Sequence, residues 1–125
     1  MVLLAAGGGL LLRSEPEPER AAAGPAPPVG RITIEVLNGT NRQGAARTAT
    51  RMLRRQGLDV VFLGNADSLA DSTRVLARRG DLARAKHVAR ALGGGLVRVE
   101  VDTFRRVDVS VILGEDFRPA LELHP

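Results

Sequence analysis

Residues 36–47 read VLNGTNRQGAAR, and in this stretch a predicted β-strand ends and a predicted helix begins. Its two glycines, Gly39 and Gly44, have the spacing of a phosphate-binding P-loop. That loop also needs a lysine and a hydroxyl directly after the second glycine, but Ala45 and Ala46 occupy these positions. The dinucleotide pattern GxGxxG is missing as well, because Asn41 stands where its second glycine would be. The stretch is therefore not a standard nucleotide-binding loop.

A structural interpretation and a binding interpretation of the stretch both stay open. Asn38 and Gly39 tolerate the left-handed dihedrals of a tight turn, and Gly44 would let helix and strand approach closely. Thr40 and Gln43 have the spacing of a capping box that would start the helix. Alternatively, the exposed amides at the helix start bind an anionic group. The candidate ligand-binding residues are Asn38, Gly39, Thr40, Arg42, Gly44, Arg47 and Arg51.

The sequence on both sides of this stretch predicts strands and amphipathic helices. Before it, Ile32, Ile34 and Val36 alternate with polar residues, as in a half-buried strand. After it, the spacing of apolar residues predicts two helices and several more strands. The predicted helices cover 43–56 and 81–92, and the predicted strands cover 59–63, 73–78, 96–101 and 107–113.

This order of elements indicates an α+β fold, a two-layer sandwich with βαββαβ-like order and one extra or edge strand. Both helices are amphipathic, and several strands have one polar face. We therefore predict a mainly antiparallel sheet with the two helices on one face. Phe62, in the second strand, is predicted to face the core.

The composition limits the possible chemistry. The 125 residues suffice for one compact domain, and 18 basic against 14 acidic residues give a net charge of +4. The absence of cysteine excludes disulfides and thiolate metal sites. His87 and His124 lie far apart and form no metal-binding spacing. We predict no catalytic residue, no metal site and no cofactor.

The two ends of the chain differ in character from its centre. Residues 1–13 form an apolar segment that resembles part of a signal anchor, with a Gly-rich leader as the alternative. Its twelve apolar residues would span about 18 Å as a helix, less than the roughly 30 Å of a bilayer, so we expect the true start to lie upstream. Residues 14–30 are rich in Pro, Ala and Glu and predict a linker. A folded domain over 31–118 and a tail over 119–125 follow.

Four motifs of the predicted domain together resemble the LytR C-terminal domain family. They are VLNGTNRQGAAR at 36–47, GNA at 64–66, the pair Thr73 and Val75, and VSVILGEDF at 109–117. The resemblance covers residues 31–118. It implies a bacterial, envelope-associated domain of the kind that often follows a LytR-CpsA-Psr catalytic domain. These 125 residues have no room for that enzyme, so we expect a stand-alone domain, anchored in the membrane and extracytoplasmic.

The leading functional hypothesis is a non-enzymatic, envelope-tethered accessory domain. Its expected partner is an anionic cell-wall glycopolymer, peptidoglycan or a wall-assembly protein, with the membrane contacted through the N-terminal segment. Arg47, Arg51, Arg54 and Arg55 lie on one face of the first predicted helix, and guanidinium groups match phosphate and carboxylate geometry. The alternative is that these arginines only solvate the helix.

Two other functions stay open. A basic α/β domain can be a nucleic-acid-binding or regulatory domain, but RNA-binding sheets stack bases on aromatic side chains, and only three phenylalanines are present. We therefore expect no nucleic-acid partner. Glu35, Glu100 and Asp108, with Arg98 nearby, could share the open sheet face and act in acid/base chemistry or protein docking. No nucleophile or metal cluster accompanies them, so an enzyme is not predicted.

Overall fold

The structure is a computed structural model that describes residues 30–119. The predicted apolar segment (1–13), almost all of the predicted linker and the tail after Pro119 lie outside the described residues. The described part forms five strands and two helices. In chain order these are β1 (Thr33–Asn38), α1 (Ala45–Arg55), β2 (Asp59–Asn65), β3 (Arg74–Ala77), α2 (Leu82–Leu92), β4 (Leu96–Val99) and β5 (Val109–Leu113).

The strands form one mixed sheet in the order β2-β1-β5-β3-β4. β1 runs parallel to β2 and to β5, β3 runs parallel to β4, and β3 is antiparallel to β5. The prediction of a mainly antiparallel sheet is therefore wrong. The predicted βαββαβ-like order with one extra or edge strand is not confirmed, since the last strand, β5, lies in the middle of the sheet between β1 and β3.

The two helical crossovers explain why the pairing is largely parallel. α1 connects β1 to its parallel neighbour β2, and α2 connects β3 to its parallel neighbour β4. Such crossovers are the usual connection between parallel strands. Both helices pack into one core on the same side of the sheet, so no helix of residues 30–119 lies over the opposite side. The polar strand faces suggested antiparallel pairing. They are polar because they lie on this open face, and they do not indicate the direction of the strands.

The hydrophobic core lies between the sheet and the helices. Leu53 of α1 and Val88 of α2, both 0% exposed, pack against the aliphatic side chains of the central strands β1 and β5. Each helix has 11 residues, and within residues 30–119 neither is long and apolar enough to cross a bilayer. The aliphatic residues of β1 and β5 that are fully buried are Ile34, Val36, Val109, Val111 and Leu113.

The C-terminal end of α1 has the predicted left-handed glycine. Gly57 adopts φ 83°, and its amide donates to the Arg54 carbonyl at 3.0 Å. The Leu58 amide donates to the Leu53 carbonyl at 3.1 Å, and Leu58 itself is buried. These two bonds and the apolar contact form a Schellman motif, which turns the chain sharply from α1 into β2.

Phe62 lies on the open face, where 54% of it is exposed, so its predicted core position is wrong. Val60 pairs with Ile34 of β1, but the next residue of β1, Glu35, pairs with Phe62. Val61 is therefore an extra residue in β2, and such a bulge shifts the alternation of side chains by one. The aromatic ring consequently shares the open face with Glu35.

Candidate functional site

The side chain of Asn38, the last residue of β1, holds the β1–α1 loop. Its Oδ1 accepts hydrogen bonds from the Thr40 amide at 2.9 Å and the Thr40 hydroxyl at 2.6 Å. Its Nδ2 donates to the Arg42 carbonyl at 2.9 Å, and the Arg42 amide donates to Thr40 Oγ1 at 3.0 Å. Helix α1 begins at Ala45, and no side chain among residues 30–119 caps it. The predicted capping box between Thr40 and Gln43 is therefore wrong.

The two glycines of this loop have exchanged the roles predicted for them. Gly44 has φ 85° and stands in open space at the N-cap of α1. A Cβ on Gly39 would lie 2.7 Å from the Leu113 carbonyl oxygen and 3.2 Å from the Ala70 Cβ. Gly44 thus supplies the left-handed backbone, and Gly39 allows the close approach of neighbouring chain segments.

A crevice of about 420 Å³ opens where β1 and β2 end and α1 begins. Sheets with helical crossovers commonly bind ligands beyond the carboxyl ends of their strands. The first turn of α1 contains no acidic residue and faces this crevice with the Arg47 side chain. The arrangement can accept an anionic group. The lining residues are Asn38, Gln43, Gly44, Ala46, Arg47, Leu63, Gly64 and Asn65.

The crevice brings together only part of the predicted ligand-binding set. Gly39 and Thr40 are buried residues of the loop, and the Arg42 side chain donates to the Glu115 carbonyl at 3.3 Å. Arg51 lies on the exposed surface of α1. Ligand binding by these seven residues stays a prediction. The members that line the crevice are Asn38, Gly44 and Arg47.

The loop contacts lead to a stability prediction that separates Asn38 from Gln43. Asn38→Ala removes three hydrogen bonds of the loop and should lower the free energy of unfolding by about 1–3 kcal/mol. Gln43→Ala should change it by less than about 0.5 kcal/mol, because Gln43 is exposed and caps nothing. Urea unfolding of both variants measures the difference. Equal losses for the two variants would favour the capping box over the Asn38 contacts.

The outer surfaces of α1 and α2, here called the helix layer, carry positive charge only. The helix sequences AARTATRMLRR and LARAKHVARAL contain no aspartate and no glutamate. Arg54 Nη2 donates to the Val60 carbonyl at 2.8 Å, so this guanidinium also stabilises the turn after α1. The exposed cationic residues of the helix layer are Arg47, Arg51, Arg54, Arg55 and Arg90.

A chain of charged and hydroxyl side chains, here called the open-face network, crosses the other side of the sheet. Arg105 Nη1 donates to the two carboxylate oxygens of Glu35 at 2.9 and 2.8 Å. The Ser110 hydroxyl donates to Glu35 and accepts from Arg78 Nε at 2.8 Å. Arg78 Nη1 donates to the Glu100 carboxylate at 2.9 Å. The network joins β1 and β5 to the segments that follow β3 and β4.

The predicted group of three acids forms only in part. Glu35 and Glu100 both belong to the open-face network, but Asp108 accepts from the Thr33 amide at 2.9 Å. Asp108 also lies 3.3 Å from Arg84 of α2, so it faces the helices and not the other two acids. Within residues 30–119 no group of three or more His, Cys, Asp or Glu is placed to hold a metal ion.

Three members of the open-face network, Arg78, Arg105 and Ser110, are absent from the predicted functional residues. The alternation of β5 predicts the side on which Ser110 lies. Val109 and Val111 face the core, so the residue between them must face the open side. Arg105 lies between β4 and β5, outside any regular element. No periodicity predicts its position.

Comparisons with known proteins identify the domain. The family model described as LytR cell envelope-related transcriptional attenuator (LytR_C) matches residues 31–117. No curated protein matches the chain. A similar solved structure is the soluble domain of a conserved hypothetical secreted protein, the Rv2700 ortholog from Mycobacterium marinum, with 24% identity and a TM-score of 0.52. The solution structure of the C-terminal domain of RV0431 has 22% identity and a TM-score of 0.40, with 91% of each chain covered.

The family match takes in β1 to β5, which is nearly the whole described domain. The match to the Mycobacterium marinum structure covers 72% of this chain and 63% of that one, and it supports the fold. The resemblance suggested by the four sequence motifs is confirmed, and it implies a domain associated with the cell envelope. The chain belongs to the LytR_C family.

Proposed function

We propose that this chain is a non-enzymatic accessory protein of the cell envelope that binds an anionic cell-wall polymer through its helix layer. Family membership supports the envelope as its place of action. The observation that carries the proposal is the one-sided charge of the helix layer, where arginines are exposed and acids are absent. Such a surface attracts a polyanion over its whole length.

The spacing of the arginines argues against simple solvation. Arg47, Arg51 and Arg55 follow one another at four-residue intervals on exposed positions of α1. Like charges at this spacing destabilise a helix by about 0.2–0.5 kcal/mol per pair. Solvated helices relieve this repulsion with glutamate one turn away, but α1 has none. A bound polyanion would remove the repulsion.

The chemistry of arginine favours phosphate or carboxylate groups as the ligand. Its planar guanidinium binds both groups through two parallel hydrogen bonds, which lysine cannot do. Arg47 also lines the crevice at the start of α1, so the crevice adjoins the row of arginines. A repeating polymer can therefore contact the row and place one anionic group at the helix start.

The proposal also includes the location of the protein in the cell. The apolar segment 1–13 would hold the protein in the membrane, and the linker 14–30 would place the LytR_C domain outside the cytoplasm. We expect the native protein in the membrane fraction, resistant to extraction with alkaline carbonate. Release of the protein into the soluble fraction at neutral pH would contradict this part of the proposal.

The binding test compares two triple variants of the full chain that lose the same charge. Arg47→Gln, Arg51→Gln and Arg55→Gln together should weaken co-sedimentation with purified cell wall by at least about tenfold at low salt. Wild-type binding should itself weaken strongly when the salt concentration rises. The control variant changes three exposed arginines outside the helix layer and should bind like the wild type. Its residues are Arg79, Arg98 and Arg106.

Several results would count against the proposal. Equal weakening by both triple variants would mean that net charge alone determines retention, without a specific surface. Equal retention of double-stranded DNA by the wild type would make the surface a general polyanion binder and would contradict a wall-specific role. Unfolding measurements serve as the check on the fold, since substitutions of exposed side chains should change the free energy of unfolding by less than about 0.5 kcal/mol each.

A further inference from the structure

The open face of the sheet holds a second concave site, separate from the crevice at α1. This open-face groove has a volume of about 440 Å³, which lies in the range of small-molecule sites. Its lining includes residues of the β2–β3 segment together with Glu100 and Arg105. The groove therefore lies on the open face of the sheet, which no helix of residues 30–119 covers.

The base of the groove is apolar, and it has one aromatic wall. Leu37 of β1 and Ile112 of β5 pair in register and line the groove. The Phe62 ring lies over Gly64, where a Cβ would be 3.1 Å from one ring carbon and 3.2 Å from another. More than half of Phe62 is exposed. These groups offer contact to an apolar side chain of about the size of leucine.

Two charged residues of opposite sign line the same groove without pairing. Arg74 of β3 and Asp67 of the β2–β3 segment both belong to its lining. Neither side chain takes part in a hydrogen bond or an ion pair with another residue of 30–119, and the two form no salt bridge with each other. The other arginines of the groove, Arg78 and Arg105, are held by Glu100 and Glu35.

We propose that the open-face groove binds a small zwitterion, a free amino acid or short peptide with an apolar side chain. Arg74 receives the carboxylate, because it is the guanidinium of the groove that the open-face network does not engage. Asp67 receives the ammonium group, and the apolar side chain contacts Leu37, Ile112 and Phe62. The open-face network fixes the neighbouring groups in place, so little ordering is needed on binding.

The test uses NMR titration of the full chain with leucine, leucinamide, N-acetylleucine and the dipeptide leucyl-leucine. Leucine or the dipeptide should shift the amide signals of the groove in a saturable way. Whichever of the two binds more tightly indicates how far Arg74 and Asp67 lie from each other. Leucinamide lacks the carboxylate and N-acetylleucine lacks the ammonium group. Each should bind at least about tenfold more weakly than leucine, because each leaves one charged protein group without a partner.

Variants assign each contact. Arg74→Gln should weaken leucine binding at least about tenfold and remove the preference for leucine over leucinamide. Asp67→Asn should remove the preference for leucine over N-acetylleucine in the same way. Matched controls are Arg90→Gln on the helix layer and Asp71→Asn in the same segment as Asp67, and both should bind leucine like the wild type.

The proposal is overturned if neither zwitterion shifts the groove amides, or if the two groove variants bind like their controls. It is also overturned if leucinamide and N-acetylleucine bind as well as leucine. Cell-wall retention is a separate readout, because the groove and the helix layer lie on opposite sides of the sheet. If the helix-layer variant loses wall binding but still binds leucine, the groove binds its ligand independently of the helix layer.

Discussion

Replacing Gly114 by alanine should lower the free energy of unfolding by about 3 kcal/mol. A Cβ at this position would lie 2.3 Å from the Ser72 carbonyl carbon, 2.6 Å from its oxygen and 2.7 Å from its nitrogen. All three are backbone atoms, so no side-chain rotation can relieve the overlap. The Gly114 amide also donates to Thr73 Oγ1 at 3.0 Å, which ties the two segments together. Urea unfolding of the purified variant measures the loss.

Gly57→Ala is the matched control for this prediction. Gly57 has φ 83° but open space around it, so alanine there meets backbone strain without overlap. The expected loss is about 1 kcal/mol. If Gly114→Ala cost no more than Gly57→Ala, the segment containing Ser72 would have to move away from β5 more easily than the contacts of Gly114 indicate.

Glu35→Ala should lower the free energy of unfolding by about 2–4 kcal/mol. Glu35 is 5% exposed, and its carboxylate accepts hydrogen bonds from Arg105 and from the fully buried Ser110. Removing it leaves two donors without their acceptor. We place the loss below that of a wholly buried ion pair, because 37% of the Arg105 side chain is exposed and water can solvate part of it.

The surface pair of Arg31 and Asp59 provides the comparison for Glu35. Arg31 Nε donates to Asp59 Oδ2 at 2.6 Å, but 74% of the Arg31 side chain is exposed. Asp59→Ala should therefore cost less than about 1 kcal/mol. Thermal or urea unfolding of both variants gives the contrast. Similar losses for Glu35→Ala and Asp59→Ala would mean that burial of the open-face network adds nothing to stability.

Periodicity and the glycine after α1 predict much of the local structure of this protein, but not the start of α1 or the sheet that joins the elements. The alternation at Val107 to Leu113 and the glycine at Gly57 predict the inward face of β5 and the end of α1, because both depend on neighbouring residues. The position of β5 between β1 and β3 depends on pairing across the chain, which alternation does not encode. The bulge at Val61 likewise depends on its pairing with β1, and it reverses the predicted side of Phe62.

The two candidate sites also differ in how far the sequence predicts them. The exposed arginine face of α1 is predictable, since helical spacing alone places Arg47, Arg51 and Arg55 together. The open-face groove is not, because Asp67 and Arg74 come from a segment and a strand whose relative positions depend on the whole sheet. Side chains within one helix can thus be grouped from sequence, and side chains from distant strands cannot.

The most direct test of the central claim asks which side of the sheet touches the wall polymer. Backbone amide signals of the full chain would be followed by NMR while a solubilised anionic cell-wall polymer is added. We expect the shifts and line broadening to concentrate on α1, the exposed side of α2 and the crevice beside Arg47, and to disappear at high salt. Shifts confined to the open face of the sheet, or none at all at low salt, would contradict the claim that the helix layer is the binding surface.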